Sequence, residues 1–134
     1  MIDGTELSKK LQLKAGQKLW LVNVPEAYSR ALTAGGEVET VRRGEPYDGA
    51  IVFCETPAEV ANATPRVLAG LPEDGLLWFA YRKGDAARKS GLSRDVGWAS
   101  LTAAGFRPVR SNAFDDDWTG LRFRPVALVK TGRA

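Results

Sequence analysis

Residues 47–59 read YDGAIVFCETPAE, and this stretch runs from a strand directly into a helix. Residues 47–55 form a largely continuous apolar run, which is typical of a central strand buried on both faces of a sheet. Thr56 and Glu59 then have the spacing of a capping box, in which each side chain accepts a backbone N–H of the first helical turn. Pro57 suits the first helical position. A buried strand followed at once by a capped helix predicts an α/β fold.

The same alternation continues in both directions along the chain. Residues 18–24 (KLWLVNV) and 73–83 (EDGLLWFAYRK) are two further candidates for buried strands. After the first of them, Pro25 is placed to begin a helix that the glycines at 35–36 end. We therefore expect strands and single helices to alternate, which is the pattern of a mostly parallel sheet with right-handed crossovers.

Three helices carry local signals of their own. The helix that starts at the capping box should run toward Gly70, with Pro65 either kinking it or forcing a restart capped by Thr64. Ser93 is placed to cap a later helix through Ala104. A short helix over residues 5–12, capped by Thr5, is expected to precede the first strand.

The last two predicted strands, residues 106–114 and 119–129, are joined by too few residues for a parallel crossover, so they should form an antiparallel hairpin. Residues 37–43 alternate weakly and are expected to form an edge strand. About five residues separate this strand from the next, too few for a helical crossover. Either the strand is antiparallel or the link is extended. The prediction is a three-layer, Rossmann-like α/β domain with a mostly parallel sheet of about six strands.

The composition narrows the classes of function. The chain has 134 residues, a net charge of +3, one cysteine (Cys54) and no histidine. The missing histidine removes the usual catalytic triad and most transition-metal sites, and one cysteine allows no intramolecular disulfide. We expect one domain over residues 1–134, with an N-terminal helix and turn over 1–16 and a flexible tail over 130–134. The single cysteine favours the reducing cytoplasm, and the polar N-terminus and the lack of a long apolar run predict neither a signal peptide nor membrane contact. We expect no cofactor and no metal.

Several segments resemble known proteins. YDGAIVFCE (47–55), VLAGLPEDGLLWFAYRK (67–83) and the closing hairpin over residues 106–129 resemble the fourth strand, the fifth strand with its preceding helix, and the reversed final strand pair of class I methyltransferases. LSKKLQLKAGQKLWLVNVPEAY, GLLWFAYRK, RDVGW and DDDWTGLRFRP together resemble a small bacterial family described only as a domain of unknown function. The resemblance implies a methyltransferase-like topology that lacks part of its N-terminal half, and it implies no activity.

The chain departs from the methyltransferase pattern at the methyl-donor site. That site needs a glycine-rich turn after the first strand and an acidic residue at the end of the second. The first turn here is Asn23-Val24-Pro25-Glu26, and the second strand ends in Arg42-Arg43. The carboxyl ends of parallel strands nevertheless form the usual ligand site of such sheets. The candidate residues for a pocket rim there are Asn23, Glu26, Glu55 and Tyr81.

Residues 82–94 are rich in basic side chains and read as a polar loop that could bind an anion or a nucleic-acid backbone. Arg94 and Asp95 should lie in the first turn of the last helix. The three consecutive aspartates at 115–117 lack the alternating spacing of a metal loop and are expected to cap a turn. The candidate anion-binding residues are Arg82, Lys83, Arg88, Lys89 and Arg94.

Three functions remain open at this level. The first is a non-catalytic, degenerate methyltransferase-like domain that binds a ligand or a protein partner, and it has the most support because the donor-site residues are missing. The second is an S-adenosylmethionine-dependent methyltransferase with an atypical donor site. The third is anion or nucleic-acid binding through residues 82–94. We predict no catalytic residues and regard enzymatic activity as the less favoured alternative.

Overall fold

The strands and helices occupy most of the predicted positions. A computed structural model describes residues 11, 13, 16–33, 38–42, 45–72, 75–83, 91–92, 97–114 and 117–128. The strands are β1 (Lys18–Val22), β2 (Glu39–Val41), β3 (Gly49–Phe53), β4 (Leu76–Arg82), β5 (Phe106–Ala113) and β6 (Trp118–Pro125). The helices are α1 (Glu26–Thr33), α2 (Pro57–Gly70) and α3 (Ala99–Ala103), followed after β6 by a 3₁₀ turn over Val126–Leu128.

The six strands form one mixed sheet in the order β2-β1-β3-β4-β6-β5. The first four strands are parallel, and β6 and β5 form the predicted antiparallel hairpin beside β4. β2 pairs in parallel with β1, with Lys18 opposite Glu39. Of the two alternatives left open above, an antiparallel β2 is therefore excluded. The mostly parallel, Rossmann-like sheet predicted from the sequence is confirmed.

Helices cover both faces of the sheet, which gives the three predicted layers. α2 and α3 lie on one face, here called the α2 face, where Val60 and Leu101 belong to one buried apolar cluster with residues of β3 and β4. α1 lies on the other face, here called the α1 face, where Tyr28 and Leu32 join a separate apolar cluster. β3 and β4 are covered on both sides, so successive residues in them point alternately into the two cores. Both cores are apolar, and the two strands are therefore apolar at nearly every position.

The predicted capping box at the start of α2 forms on the Thr56 side, and the Glu59 carboxylate bonds one residue before the cap. Thr56 is the N-cap, and its hydroxyl accepts the Glu59 N–H at 3.2 Å. The Glu59 carboxylate in turn accepts the N–H of Glu55, one residue before the cap, at 2.6 Å. Two backbone donors at the start of the helix are thus satisfied by side chains, which fixes the angle at which the chain leaves β3.

α2 continues through Pro65 without a restart. Thr64 does not cap a new helix, because its hydroxyl donates to the Val60 carbonyl at 2.7 Å and contacts the Ser100 hydroxyl of α3 at 3.1 Å. Pro65 lacks the N–H that would bond the Ala61 carbonyl, but both residues are on the exposed side of the helix, where water can take that role. The helix therefore accepts the proline at the cost of one internal hydrogen bond.

Two helix starts differ from those predicted. α1 begins at Glu26, so Pro25 precedes the helix and does not occupy its first position. α3 begins at Ala99 with Trp98 at its N-cap, although the cap was expected at Ser93. Residues 93–96 lie outside the described residues, as do the predicted helix over 5–12 and the tail over 130–134. None of the helices in the described part of the chain is both long and apolar enough to cross a membrane.

Candidate functional site

The carboxyl ends of β1 and β3 meet at the place where open α/β sheets usually bind ligands. The chain passes from β1 through α1 to β2 on one side of β1, and then returns to β3 on the other side. Helical connections diverge at such a topological switch point and leave a crevice outside the strand ends. Asn23 directly follows β1, and Cys54 and Glu55 follow β3. Three of the four predicted rim residues, Asn23, Glu26 and Glu55, lie in the segments that leave these two strands.

The turn after β1 has an unusual backbone but no glycine. Asn23 has a φ of +57°, in the left-handed region that asparagine tolerates better than most residues. The carbonyl of Pro25 accepts the N–H groups of Tyr28 and Ser29 at 3.0 and 3.1 Å, which starts α1. Glu26 forms an exposed ion pair with Arg30 one turn later. Asn23 thus supplies the tight turn that a glycine would otherwise make, and Pro25 removes one backbone donor from it.

At the end of β3, Glu55 is bound by an arginine from the neighbouring strand. The Nε of Arg82 donates to the Glu55 carboxylate at 2.7 Å, and both side chains are partly exposed. The Arg82 guanidinium also lies over the ring of Trp118, 4.5 Å from its centroid, in a cation–π contact. Arg82 pairs directly with Trp118 across the β4–β6 ladder. The end of β3 and the end of β4 are therefore linked by one arginine that already has a carboxylate and an aromatic partner.

Aromatic side chains fill the α1 face beneath this arginine. The ring of Phe53, the last residue of β3, lies 4.7 Å from Trp118, 5.2 Å from Tyr28 and 5.4 Å from Phe114. All four side chains are at least nine-tenths buried. Sequence reasoning missed this group, because its members come from α1, β3 and the hairpin. The signal available in the sequence was limited to the aromatic residues that flank the aspartates at 115–117.

Tyr81 and Cys54 lie on the α2 face, away from Arg82. Tyr81 is 7% exposed, and its ring packs against Trp98 with centroids 5.7 Å apart. The Cys54 thiol is fully buried, and burial, helped by the nearby Glu59 carboxylate, raises its pKa to about 12. A thiol with that pKa carries almost no thiolate at neutral pH, so Cys54 acts as a small apolar residue in the core.

The predicted basic loop is only partly described. Arg82 makes the contacts given above, and Lys83 is partly buried, with its backbone N–H donating to the Asp117 carbonyl at 3.0 Å. Arg88, Lys89 and Arg94 lie outside the described residues, as do Asp95, Asp115 and Asp116. Within the described ranges, no group of three or more metal-ligating side chains comes together.

A cleft of about 500 Å³ lies at the amino-terminal ends of the parallel strands, opposite the carboxyl ends described above. The rings of Trp20 and Tyr47 are 5.4 Å apart there, and the Tyr47 hydroxyl donates to the Val67 carbonyl of α2. Burial raises the pKa of Tyr47 above its ordinary value. Sequence reasoning did not find this cleft, since Trp20 and Tyr47 belong to separate strand segments. The residues lining it are Trp20, Glu45, Pro46, Tyr47, Arg66, Ala69 and Gly70.

The residues at the carboxyl edge fit S-adenosylmethionine poorly. The donor site of the resembling enzymes needs a glycine turn that lets the backbone approach the ligand and an acid that holds the ribose hydroxyls. Pro25 and Glu26 occupy that turn, and the Glu26 carboxylate is exposed and paired with Arg30. Arg42 directly follows β2, where the acid is needed, and its N–H donates to Glu45 at 2.6 Å.

Comparisons with known proteins identify similar folds but no family. No family model matches the chain, and no curated protein matches it. Among solved structures, the N-methyltransferase NodS from Bradyrhizobium japonicum is 15% identical, with a TM-score of 0.54 over 91% of this chain and 93% of that one. An O-methyltransferase family 2 protein from Planctomyces limnophilus is 13% identical, with a TM-score of 0.58 over 84% of this chain and 52% of that one.

Fibrillarin from Aeropyrum pernix gives a similar result, with 13% identity and a TM-score of 0.53 over 85% of this chain and 68% of that one. At these identities the similarity concerns the fold and not the chemistry. The proposed membership of a small bacterial family of unknown function stays a prediction. The chain has a methyltransferase-like, Rossmann-like α/β fold.

Proposed function

We propose that this chain is a non-catalytic, methyltransferase-like domain that binds a ligand or a protein partner without using S-adenosylmethionine. The observation that carries the proposal is the turn after β1, where Asn23 adopts the left-handed conformation and Pro25 and Glu26 follow it. This turn keeps the strand-to-helix path of the fold, but it replaces the glycines that would let a cofactor approach the backbone.

The charges near the two strand ends support the same proposal. The free N-terminal end of a helix favours an anion, but the first turn of α1 already contains the Glu26 carboxylate. Arg42 follows β2 with an exposed side chain, and a guanidinium offers donors only, whereas ribose hydroxyls in these folds are held by an accepting carboxylate. The donor site needs a free helix N-terminus after β1 and an acidic side chain after β2, whereas this chain has the Glu26 carboxylate and the Arg42 guanidinium there.

Isothermal titration with S-adenosylmethionine and S-adenosylhomocysteine tests the proposal. We expect neither compound to bind the wild-type chain with a Kd below about 1 mM, which corresponds to about −4 kcal/mol of binding free energy. A class I methyltransferase of known affinity, titrated in the same buffer, serves as the positive control. Micromolar binding of either compound by the wild-type chain would overturn the proposal.

A methyltransferase with an atypical donor site is the second candidate. It is favoured by the comparisons, since Aeropyrum pernix fibrillarin was solved with natively bound S-adenosyl-L-methionine and NodS with S-adenosyl-L-homocysteine. The same titration separates the two candidates, because this one requires saturable binding. Anion binding through residues 82–94 remains a further proposal, and the partners that Arg82 already has in Glu55 and Trp118 weigh against its direct participation.

A further inference from the structure

The helices on the α2 face cover only part of the sheet. α2 joins the neighbouring strands β3 and β4 and packs over them, and α3 contacts both α2 and β5, so it lies toward the hairpin. Among the described helices, none lies over β1 and β2 on this face. The cleft beside Trp20 and Tyr47 lies on this side of α2, and both aromatic side chains are partly exposed there.

Two aromatic rings form a fixed wall of the cleft. The rings of Trp20 and Tyr47 have their centroids 5.4 Å apart and their planes inclined by 39°. The Tyr47 hydroxyl donates to the Val67 carbonyl of α2, which holds its ring in place. Gly70 permits this approach, because a Cβ there would lie 2.8 Å from the Tyr47 hydroxyl oxygen. The wall is therefore held in position and can pack against a flat apolar ring.

Two opposite charges line the same cleft without neutralising each other. Arg66 of α2 and Glu45 are both exposed, and neither forms an ion pair with the other or with another described residue. The Arg66 guanidinium makes a long hydrogen bond of 3.5 Å to the Asn62 side-chain oxygen. Glu45 uses one carboxylate oxygen to accept the Arg42 N–H at 2.6 Å. Most of the guanidinium donors and the second carboxylate oxygen are thus left to a ligand.

We propose that this cleft binds a free aromatic amino acid. Its ring packs against Trp20 and Tyr47, its carboxylate binds Arg66, and its ammonium group binds Glu45. A guanidinium matches a carboxylate in two-point contacts, and an ammonium group has three donors for a carboxylate to accept. The carbonyl end of α2, which ends at Gly70, also favours the ammonium group. The volume of about 500 Å³ lies within the roughly 300–1,000 Å³ of small-molecule sites.

The combination of charges disfavours other ligands for the same wall. An aromatic cation would be repelled by Arg66, and an aromatic acid or a nucleotide would be repelled by Glu45. An aromatic side chain within a protein partner has neither an ammonium group nor a carboxylate on its own backbone. An aliphatic amino acid has both charges but no flat ring for the wall. A zwitterion with a ring is therefore the ligand that uses all four side chains.

This site lies at the end of the strands opposite to the turn at Asn23. The inference goes beyond the proposed function, because it assigns a ligand class and a place to a binding domain for which the turn supplies neither. It does not depend on whether that turn binds a cofactor. The two titrations therefore have independent outcomes.

Isothermal titration of the wild-type chain with L-tryptophan tests the inference. We expect saturable binding of one molecule per chain with a Kd below about 1 mM. Tryptamine lacks the carboxylate, indole-3-propionate lacks the ammonium group, and L-leucine lacks the ring. Each of these three compounds should bind at least about three-fold more weakly than L-tryptophan, since each loses one of the three interactions.

Two neutral variants assign the charges to the two ends of the ligand. Arg66→Gln should weaken L-tryptophan binding at least about three-fold but should not weaken tryptamine binding, because tryptamine has no carboxylate to lose. Glu45→Gln keeps an oxygen for the Arg42 N–H and should weaken L-tryptophan but not indole-3-propionate. The matched control is Arg107→Gln, which removes the same charge at an exposed position on β5 and should leave the Kd within two-fold. Circular dichroism melting checks that the variants remain folded.

The comparison of compounds on the wild-type chain keeps the inference testable even if a variant unfolds. The inference is overturned if L-tryptophan does not bind, if tryptamine or indole-3-propionate binds as tightly, or if Arg107→Gln loses as much affinity as Arg66→Gln. Equal binding of N-acetyl-L-tryptophanamide would also overturn it, because that compound represents an aromatic side chain within a protein. Any binding of S-adenosylmethionine that Arg66→Gln leaves unchanged lies outside this cleft and bears on the proposed function alone.

Discussion

The two central strands, β3 and β4, and the outer strand of the hairpin, β5, differ sharply in burial. β3 is completely buried, and six of the seven residues of β4 are buried as well. β5 is longer, yet none of its residues is buried and two of them are arginines. All three belong to one sheet, so the difference does not come from strand geometry. It comes from position, because β3 and β4 have a paired strand on either side and helices on both faces, whereas β5 has one neighbour.

This contrast explains why the central strands were easy to recognise from the sequence and why the edge strand can carry charge. A strand covered on both faces must be apolar at every position, and this produces the runs AIVF and LLWFAY. An edge strand with exposed side chains is free to carry charge, and charge also protects it from pairing with other chains. The first kind of strand fixes the sheet, and the second kind tolerates charged side chains.

Truncating Trp78 should have the largest effect on stability. Its side chain is fully buried, and its Nε1–H donates to the Leu11 carbonyl at 2.9 Å. We expect Trp78→Ala to lower the free energy of unfolding by about 3–5 kcal/mol, measured by urea denaturation. Trp78→Phe keeps most of the packing but leaves the Leu11 carbonyl without this donor, so it should cost less. If Trp78→Ala costs less than 1 kcal/mol, the central strand does not depend on burial in the way proposed.

Adding a methyl group at Gly49 should have the next largest effect. A Cβ built at this position in β3 would lie 2.5 Å from the Leu76 carbonyl oxygen and 2.7 Å from the Leu76 Cβ. The clash involves backbone of the neighbouring strand, which cannot move without disturbing the β3–β4 ladder. We expect Gly49→Ala to destabilise the fold by about 1–3 kcal/mol in the same denaturation experiment. Ala113→Ser at the exposed end of β5 is the control and should change stability by less than about 0.5 kcal/mol.

Most of the fold could be predicted because its signals are local. The apolar runs located β1, β3 and β4, and the spacing of Thr56 and Glu59 located the start of α2 within one residue. The direction of β2 could not be predicted, because three exposed or half-exposed residues carry no pattern that distinguishes the two pairings. The predicted start of α3 was wrong because its N-cap, Trp98, makes no side-chain capping hydrogen bond. The preference of serine for N-cap positions therefore could not locate this helix start.

The candidate site was less predictable because it depends on contacts between distant segments. Asn23 and Glu26 could be placed at a strand end from local order alone. The Arg82–Glu55 pair joins residues 27 positions apart, and its stacking on Trp118 depends on the antiparallel register of β6 with β4. A basic loop in the sequence therefore did not reveal that its first arginine is already engaged. The pairing of Arg110 with Arg122 in the hairpin was equally hidden until the register was known.

The smallest expected effect has the opposite sign and separates the edge strand from the core. Arg110→Thr removes one member of the Arg110–Arg122 pair and introduces a residue that favours strands, so it should stabilise the fold by about 0.2–1 kcal/mol at 10 mM NaCl. The gain should shrink at 0.5 M NaCl, since repulsion between exposed charges is then screened over a few ångströms. Ser111→Thr, the next residue of β5, makes a similar change in strand preference without a change in charge. A loss of stability in Arg110→Thr at low salt, with no change in Ser111→Thr, would mean that Arg110 is held by favourable contacts and is not repelled by the residue opposite it.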